Sequence, residues 1–298
     1  MTTTAATRTS ASSQAAATTA VVRRGARVRP RTVGVYVLLT LASIIVAFPL
    51  LLALSYSFMS EGEIASYPPR LLPSTLQLDN YQRVLSNVPL ARYLLNSFLA
   101  SSLVVIGQLI TASLAAFAFS FLVFPGRGWL FGLFLATMMI PWEATIIPNY
   151  MTIRSLGWLD TYQGLSVPFM AQAFGTFLLR QSFLQLPRDL FDAAVVDGAG
   201  KLRFLWAIVL PLSRPALATL AVYAFLWTWN LYFWPLLITN DPLMRTTQVG
   251  IAQLRFEETL RWGYLMAGVT MIVLPTLLLL VLGQRHLVRG LTAGAVKG

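Results

Sequence analysis

The chain offers little that could do covalent chemistry. Its 298 residues include no cysteine and one histidine, His286 near the C-terminus. Thiol nucleophiles, disulfides and cysteine-ligated metals or clusters are therefore excluded. A Ser-His-Asp triad or a multi-histidine metal site would have to be built around that single imidazole. A glycine-rich phosphate loop is also missing, so the chain is not expected to hydrolyse a nucleotide, and neither a cofactor nor a metal is expected. What remains is non-covalent. Glu143 stands in the run Pro141-Trp142-Glu143, and Gln172 lies in another apolar stretch. Aromatic and amide side chains meet at Trp229-Asn230 and Tyr232.

The densest patterning lies between residues 184 and 214. Pro187 suits a helix start, with Asp189 and Asp192 near its positive N-terminal end. Gly198 can supply a left-handed turn that ends this helix, and Asp197 can accept hydrogen bonds from the free amides that begin the next. Ala193, Ala194, Gly198 and Ala199 are small enough for another protein to approach the backbone, while Phe191, Phe204, Leu205 and Trp206 offer apolar anchors. Pro211 and Pro215 then stop the second helix and start the next apolar segment. A capped helix–turn–helix of this kind can serve as a docking surface or simply as a well-built connector.

The elements that hold these residues are membrane elements. The chain is 56% hydrophobic and only 11% charged, with a mean hydropathy of +0.67, whereas a soluble domain carries about 25% charge. A spanning helix needs about 20 apolar residues because only a helix satisfies its own backbone in hydrocarbon. Six segments qualify, at about 33–58, 94–124, 128–149, 162–183, 215–239 and 263–283. The fourth is the most polar. If both termini share a side, that side holds 15 of the 22 basic residues and three of the 11 acids. The positive-inside rule then makes both termini cytoplasmic, and the net charge of +11 becomes a topology signal that does not call for nucleic acid. Residues 1–32 read as a disordered basic cytoplasmic tail, with an organelle transit peptide as the other reading. The loops 59–93 and 240–262 fall outside.

Phe191-Asp192-Ala193-Ala194-Val195-Val196-Asp197-Gly198-Ala199, followed by Leu210-Pro211-Leu212, resembles the EAA loop of bacterial ABC-importer permeases. Asp192 stands where that family usually has Glu, keeping the charge but shortening its reach by one methylene. Asn80-Tyr81, Asn96-Ser97, Ile140-Pro141, Ile147-Pro148, Trp229-Asn230, Trp234-Pro235-Leu236 and the tail 290–298 are similar to the carbohydrate-uptake branch. The likeness is to the second permease of maltose-type and glycerol-phosphate-type importers, and it covers about residues 33–298.

The resemblance implies an all-α integral membrane protein of the bacterial plasma membrane, with six transmembrane helices, a cytoplasmic coupling helix and the type I ABC-importer permease fold. It implies a homologous sister permease, two ATP-binding subunits and an external solute-binding protein as partners. Asp192, Ala193, Ala194, Asp197, Gly198, Ala199 and Pro211 become the ATPase-coupling set. Glu143, Gln172, Trp229, Asn230 and Tyr232 become the candidate substrate path, since amides bind sugar hydroxyls and aromatic faces stack on sugar C–H faces. Trp and Tyr near span ends are also the residues of the interfacial belt. The span middles contain no Lys or Arg, which favours a neutral sugar over a glycerol-phosphate-type substrate, the alternative within this architecture. From another class, an ion-coupled carrier would call for charged relays at mid-membrane.

Overall fold

The computed structural model describes residues 30–254 and 261–292, and among them the secondary structure is helical throughout. Two compact units are distinguished, one up to Leu50 and one from Leu51 onward. The first contains most of helix α1 (Pro30–Ser57), whose side chains from Val33 to Leu50 are exposed almost without exception. The basic tail expected over 1–32 lies outside the described residues up to position 29.

The second unit begins with the short helices α2 (Glu61–Ile64) and α3 (Asp79–Asn87) and then the long α4 (Leu90–Phe121). Next come α5 (Arg127–Ala136), α6 (Ile146–Ser155), α7 (Tyr162–Ser166) and α8 (Ala173–Phe183). The stretch corresponding to the 184–214 loop holds α9 (Asp189–Val196), α10 (Lys201–Phe204) and α11 (Leu210–Leu212). The remaining elements are α12 (Arg214–Trp229), α13 (Phe233–Ile238), α14 (Thr247–Leu254) and α15 (Trp262–Thr292).

Helix α4 is the spine of this unit. Tyr93, Ser97, Ala100, Val104, Gln108, Ala112 and Ala116 recur every three or four residues and are all buried, which is the stripe a helix makes when one face is covered. The stripe touches three apolar clusters in turn. Leu90 and Tyr93 join Tyr264 and Ala267 of α15. Ala100 and Val104 join Phe169 and Trp234, and Ala112, Ala116 and Phe117 join Phe183, Phe204 and Leu220. Small side chains let neighbours come close without water to drive the packing. A Cβ on Gly175 of α8 would stand 3.3 Å from Ala112 Cβ and 3.1 Å from Leu220.

Two helices, Val33–Ser57 and Leu90–Phe121, are individually long and apolar enough to cross a membrane. The segments expected at 128–149, 162–183 and 215–239 are apolar but broken. The first turns by 92° between Arg127–Met139 and Trp142–Ser155, because the Pro141 ring cannot continue the helix and drives Ile140 into an extended conformation. The second breaks at Met170–Gln172 and the third at Asn230–Tyr232. Breaks free backbone carbonyls that apolar surroundings cannot satisfy. Two of these carbonyls are paired by α4, where Gln108 Nε2 donates to Phe169 O at 2.9 Å and Thr111 Oγ1 to Met170 O at 2.7 Å.

Several of the sequence motifs prove to be such fasteners. Asn96 Nδ2 donates to the carbonyls of Leu243 and Arg245, and its Oδ1 accepts from Tyr162 Oη at 2.7 Å. Asn80 Nδ2 reaches the carbonyls of Ser57 and Met59, both at 3.0 Å. The Trp234 indole donates to Gly164 O at 3.0 Å. Asp160, at φ 54°, accepts from the amides of Asn240 and Asp241.

Candidate functional site

Helix α9 presents two faces of different chemistry. Its inner face holds Ala194, 5% exposed, in a cluster with Phe183, Phe204 and Leu205. Phe191 stacks on Phe121 with ring centroids 5.9 Å apart and meets Phe204 edge-on at 5.1 Å. Phe204 in turn touches Phe121 at 5.3 Å and Phe117 at 6.2 Å. Four aromatic rings thus weld α9 and α10 to the C-terminal end of α4. The outer face shows Asp192, Ala193, Val195, Val196, Asp197 and Gly198, all exposed, with Val196 at 87%.

The turn after α9 is a Schellman motif. Ala199 N–H donates to Ala194 O at 2.8 Å and Gly198 N–H to Val195 O at 3.0 Å, with Gly198 at φ 72°. A Cβ on Gly198 would find open space. The backbone dihedral is therefore what requires glycine, and the vacant space lies on the outer face. Pro211 has no N–H for the carbonyl of Ala207. The five residues before Leu210 wind as a π turn, Leu205–Val209, in which Leu210 N–H bonds Leu205 O. Helices Lys201–Leu212 and Arg214–Trp229 then meet at 81°.

Three expectations differ from the placement found here. Ala194 points into the chain's own core and is not on the open face of α9. Phe191, Phe204 and Leu205 are used internally, and of the four apolar anchors only Trp206, 60% exposed, is free. Asp197 is the C-cap of α9, and Gly200 occupies the N-cap of α10 without a side-chain bond. Val195 and Val196 are the exposed apolar pair that the sequence reading missed. Their phase on a helix whose small face is buried was the available signal.

The candidate path residues divide in two. Glu143 and Gln172 line a single cavity of about 550 Å³, together with Trp142, Asn149, Phe169 and Trp227. Phe169 forms an aromatic floor, with Trp227 edge-on at 5.2 Å and Trp142 at 6.4 Å. Gln172 caps α8 with its backbone alone, at φ −130° and ψ 141°, leaving its amide free for the cavity. The bend at Ile140-Pro141 and the break at Met170–Gln172 are what bring these side chains together. Glu143 is the one charged residue among the described lining residues.

Trp229, Asn230 and Tyr232 lie elsewhere. Trp229 is 3% exposed, and its indole donates to Thr276 Oγ1 at 2.9 Å, fastening α12 to α15. Asn230 caps α12, its Nδ2 donating to Leu226 O at 2.7 Å. Tyr232 packs edge-on against Phe233 at 5.3 Å. The tryptophan that does reach the cavity is Trp227, two residues earlier on the same helix.

The family described as "binding-protein-dependent transport system inner membrane component" matches residues 108–293. That range contains both the cavity and the 184–214 loop. The chain belongs to this permease family. It is a permease subunit of a binding-protein-dependent ABC importer, and its resemblance to carbohydrate-type permeases holds. The permease is 38% identical over 265 residues to the sn-glycerol-3-phosphate transport system permease protein UgpE of Brucella abortus (strain 2308), covering 86% of this chain and 94% of that one. It is 40% identical over 266 residues to the protein of the same name from Agrobacterium fabrum (strain C58 / ATCC 33970), with the same coverage. Among solved structures it matches a bacterial ABC transporter involved in the import of the acidic polysaccharide alginate, with a TM-score of 0.77 and 25% identity over 86% of this chain and 96% of that one. A second alginate transporter structure, in complex with a pentasaccharide-bound periplasmic protein, matches in fold at a TM-score of 0.60 and 14% identity, covering 85% and 93%.

Proposed function

We propose that this permease forms half of the translocation path for a neutral sugar and receives the work of ATP hydrolysis through its 184–214 loop. In this reading residues 33–298 form six spans, both termini and the loop are cytoplasmic, and residues 1–32 are a basic tail. A homologous permease supplies the other half of the path. Two ATP-binding subunits hydrolyse the nucleotide, an external binding protein delivers the solute, and this chain is not itself an enzyme.

The observation that carries the coupling role is the two-faced α9. Its inner face is welded by aromatic rings to α4 and its outer face is open, so a push on Asp192, Ala193, Val195, Val196, Asp197 and Gly198 passes directly to the spine. Ala194, Ala199 and Pro211 then position the lever. Coupling requires each ATPase state to favour one permease state, and a rigid lever transmits that preference.

The neutral cargo is argued from the cavity. Binding a phosphate or carboxylate there would favour arginine or lysine, yet the charged lining residue is Glu143. Its relatives named for sn-glycerol-3-phosphate or alginate handle anions, so the prediction separates this chain from them. In the intact importer reconstituted in proteoliposomes, Gly198→Asp is expected to abolish both uptake and binding-protein-stimulated ATP hydrolysis while the subunit still inserts. Unchanged transport would sink the coupling assignment.

A further inference from the structure

A second polar cavity, of about 310 Å³, opens beside the start of α9, far along the chain from the residues of the first. Its walls come from the end of α4 (Ser120, Phe121), the turn leading into α5 (Val123, Arg127), the end of α8 (Phe183, Leu184) and the approach to α9 (Arg188). It shares Phe191 and Asp192 with the lever, but nothing in the transport cycle as described places a ligand in it.

Its charge is one-sided. Arg127 and Arg188 share the lining with a single carboxylate, Asp192, and none of the three is in an ion pair among the described residues. Arg127 spends one donor, Nη1, on the carbonyl of Leu122 at 2.9 Å, which caps the α4 C-terminus. The other four donors of its guanidinium have no protein partner among the described residues. Arg180, whose guanidinium lies 4.2 Å over the Phe131 ring and whose Nε donates to Phe119 O at 3.3 Å, adds a further positive charge close by.

The cavity also contains an orphan. Ser120 Oγ is buried, on a residue 9% exposed, and has no hydrogen-bond partner. A buried hydroxyl left unpaired is destabilising, so a site that supplies an acceptor relieves it. An oxygen anion between Ser120 and the two arginines would accept from all three.

The surroundings distinguish among anions. Val123, 96% exposed, and the exposed Leu184 line the cavity, and Trp129, 74% exposed, follows Arg127 by two residues in the first turn of α5, a helix on which Leu130 and Leu133 are exposed as well. An exposed tryptophan beside arginines at the end of apolar helices marks the level of lipid headgroups. Basic pockets between helices on the cytoplasmic side suit anionic headgroups.

We infer that Ser120, Arg127 and Arg188 form a binding site for the phosphate of an anionic phospholipid of the cytoplasmic leaflet. Its acyl chains lie along Val123, Trp129 and Leu184. Because Phe191 and Asp192 of α9 close the same cavity, a bound headgroup braces the first turn of the proposed lever. The site rests on the sidedness adopted above, while lipid binding itself can be read without any transport measurement.

The test uses the complete importer in nanodiscs of phosphatidylcholine with or without phosphatidylglycerol, comparing wild type with Arg188→Gln and with Arg127→Gln/Arg188→Gln. Native mass spectrometry should find phosphatidylglycerol retained preferentially by wild type, with the double variant reducing that preference by about tenfold or more. Arg188→Gln alone changes an exposed residue, so a loss there cannot be blamed on misfolding. Inorganic phosphate added to pure phosphatidylcholine discs should not restore the binding-protein-stimulated ATPase rate that phosphatidylglycerol supports. If it does, the ligand is a free anion and the lipid assignment falls. Equal retention of both lipids by wild type overturns the proposal. So does loss of the ATPase subunits from Arg188→Gln with lipid retention unchanged, which would make the cavity a socket for an acidic side chain of that partner.

Discussion

Glu143 and Trp229 both stood out in the sequence as polar or aromatic residues in apolar segments, and their surroundings give them opposite duties. The Glu143 side chain has no hydrogen-bond partner among the described residues and lines a cavity floored by Phe169. A carboxylate there accepts hydroxyl donors from a sugar and repels an anion. Hydrogen bonds to charged groups contribute about 1.5–3 kcal/mol. Glu143→Gln should therefore weaken neutral-sugar uptake by roughly tenfold to a hundredfold in KM, relax discrimination against sugar phosphates, and leave Tm unchanged. Trp229 is packed between Phe225, at 5.7 Å, and α15. Trp229→Ala should cost about 3–5 kcal/mol of stability and lower Tm, with no change in which substrates compete. Competition uptake assays and thermal melts on the same two variants check both halves. A change of specificity in Trp229→Ala would return that residue to the path.

At the scale of elements, the loop after α1 depends on one ionised side chain. Glu63 accepts from the amide and hydroxyl of Ser60, closing a capping box on α2, and from the Ser74 amide at 3.0 Å and the Ser74 hydroxyl. The Ser74 hydroxyl, then the Ser60 and Ser74 amides, hold its pKa at about 2 against an ordinary 4.5. A carboxyl depressed in the folded state contributes stability that is complete above its unfolded value and is lost as pH falls through the folded one. The loop should thus stay closed above pH 4.5 and open as pH approaches about 2. Amide exchange over residues 60–74 is the readout, and Glu63→Gln should exchange rapidly at every pH. Equal exchange in the two proteins above pH 4.5 would remove the capping role.

The same scale explains what the sequence revealed and what it withheld. Apolar runs are a property of composition within one window, so the long apolar helices Val33–Ser57 and Leu90–Phe121 were legible, as was the left-handed Gly198. The right-angle bend at Ile140-Pro141 carries a local signature in its proline. The break at Met170–Gln172 does not, because it is held by Gln108 and Thr111, some sixty residues away. Trp227 and Trp229 are two positions apart and so on opposing faces of α12. Which face meets the cavity is decided by α15 and Phe169, and no periodicity within α12 records it. The burial of Ala194 was hidden for the same reason, since a small residue looks identical whether it faces a partner or its own core.

For the whole molecule, the distribution of basic residues and the position of the two cavities make one geometric claim. On the proposed sidedness the first cavity and the fasteners at Asn80 and Asn96 lie toward the outer end, and α9 with its arginine-lined pocket toward the inner end. The chain has no cysteine, so single substitutions can report sidedness without a background. Ser86→Cys and Asn240→Cys, both at exposed positions, should react with a membrane-impermeant maleimide from outside intact cells. Gln185→Cys, exposed just before the lever, should react only after permeabilisation. Ala193→Cys carries the argument furthest, because it tests side and contact together. It should be labelled only from the cytoplasmic side, and only when the ATP-binding subunits have been stripped from the membrane. Labelling of Ala193→Cys from outside would invert the molecule and remove its ATPase contact, whereas cytoplasmic labelling with those subunits still bound would move the coupling contact away from α9.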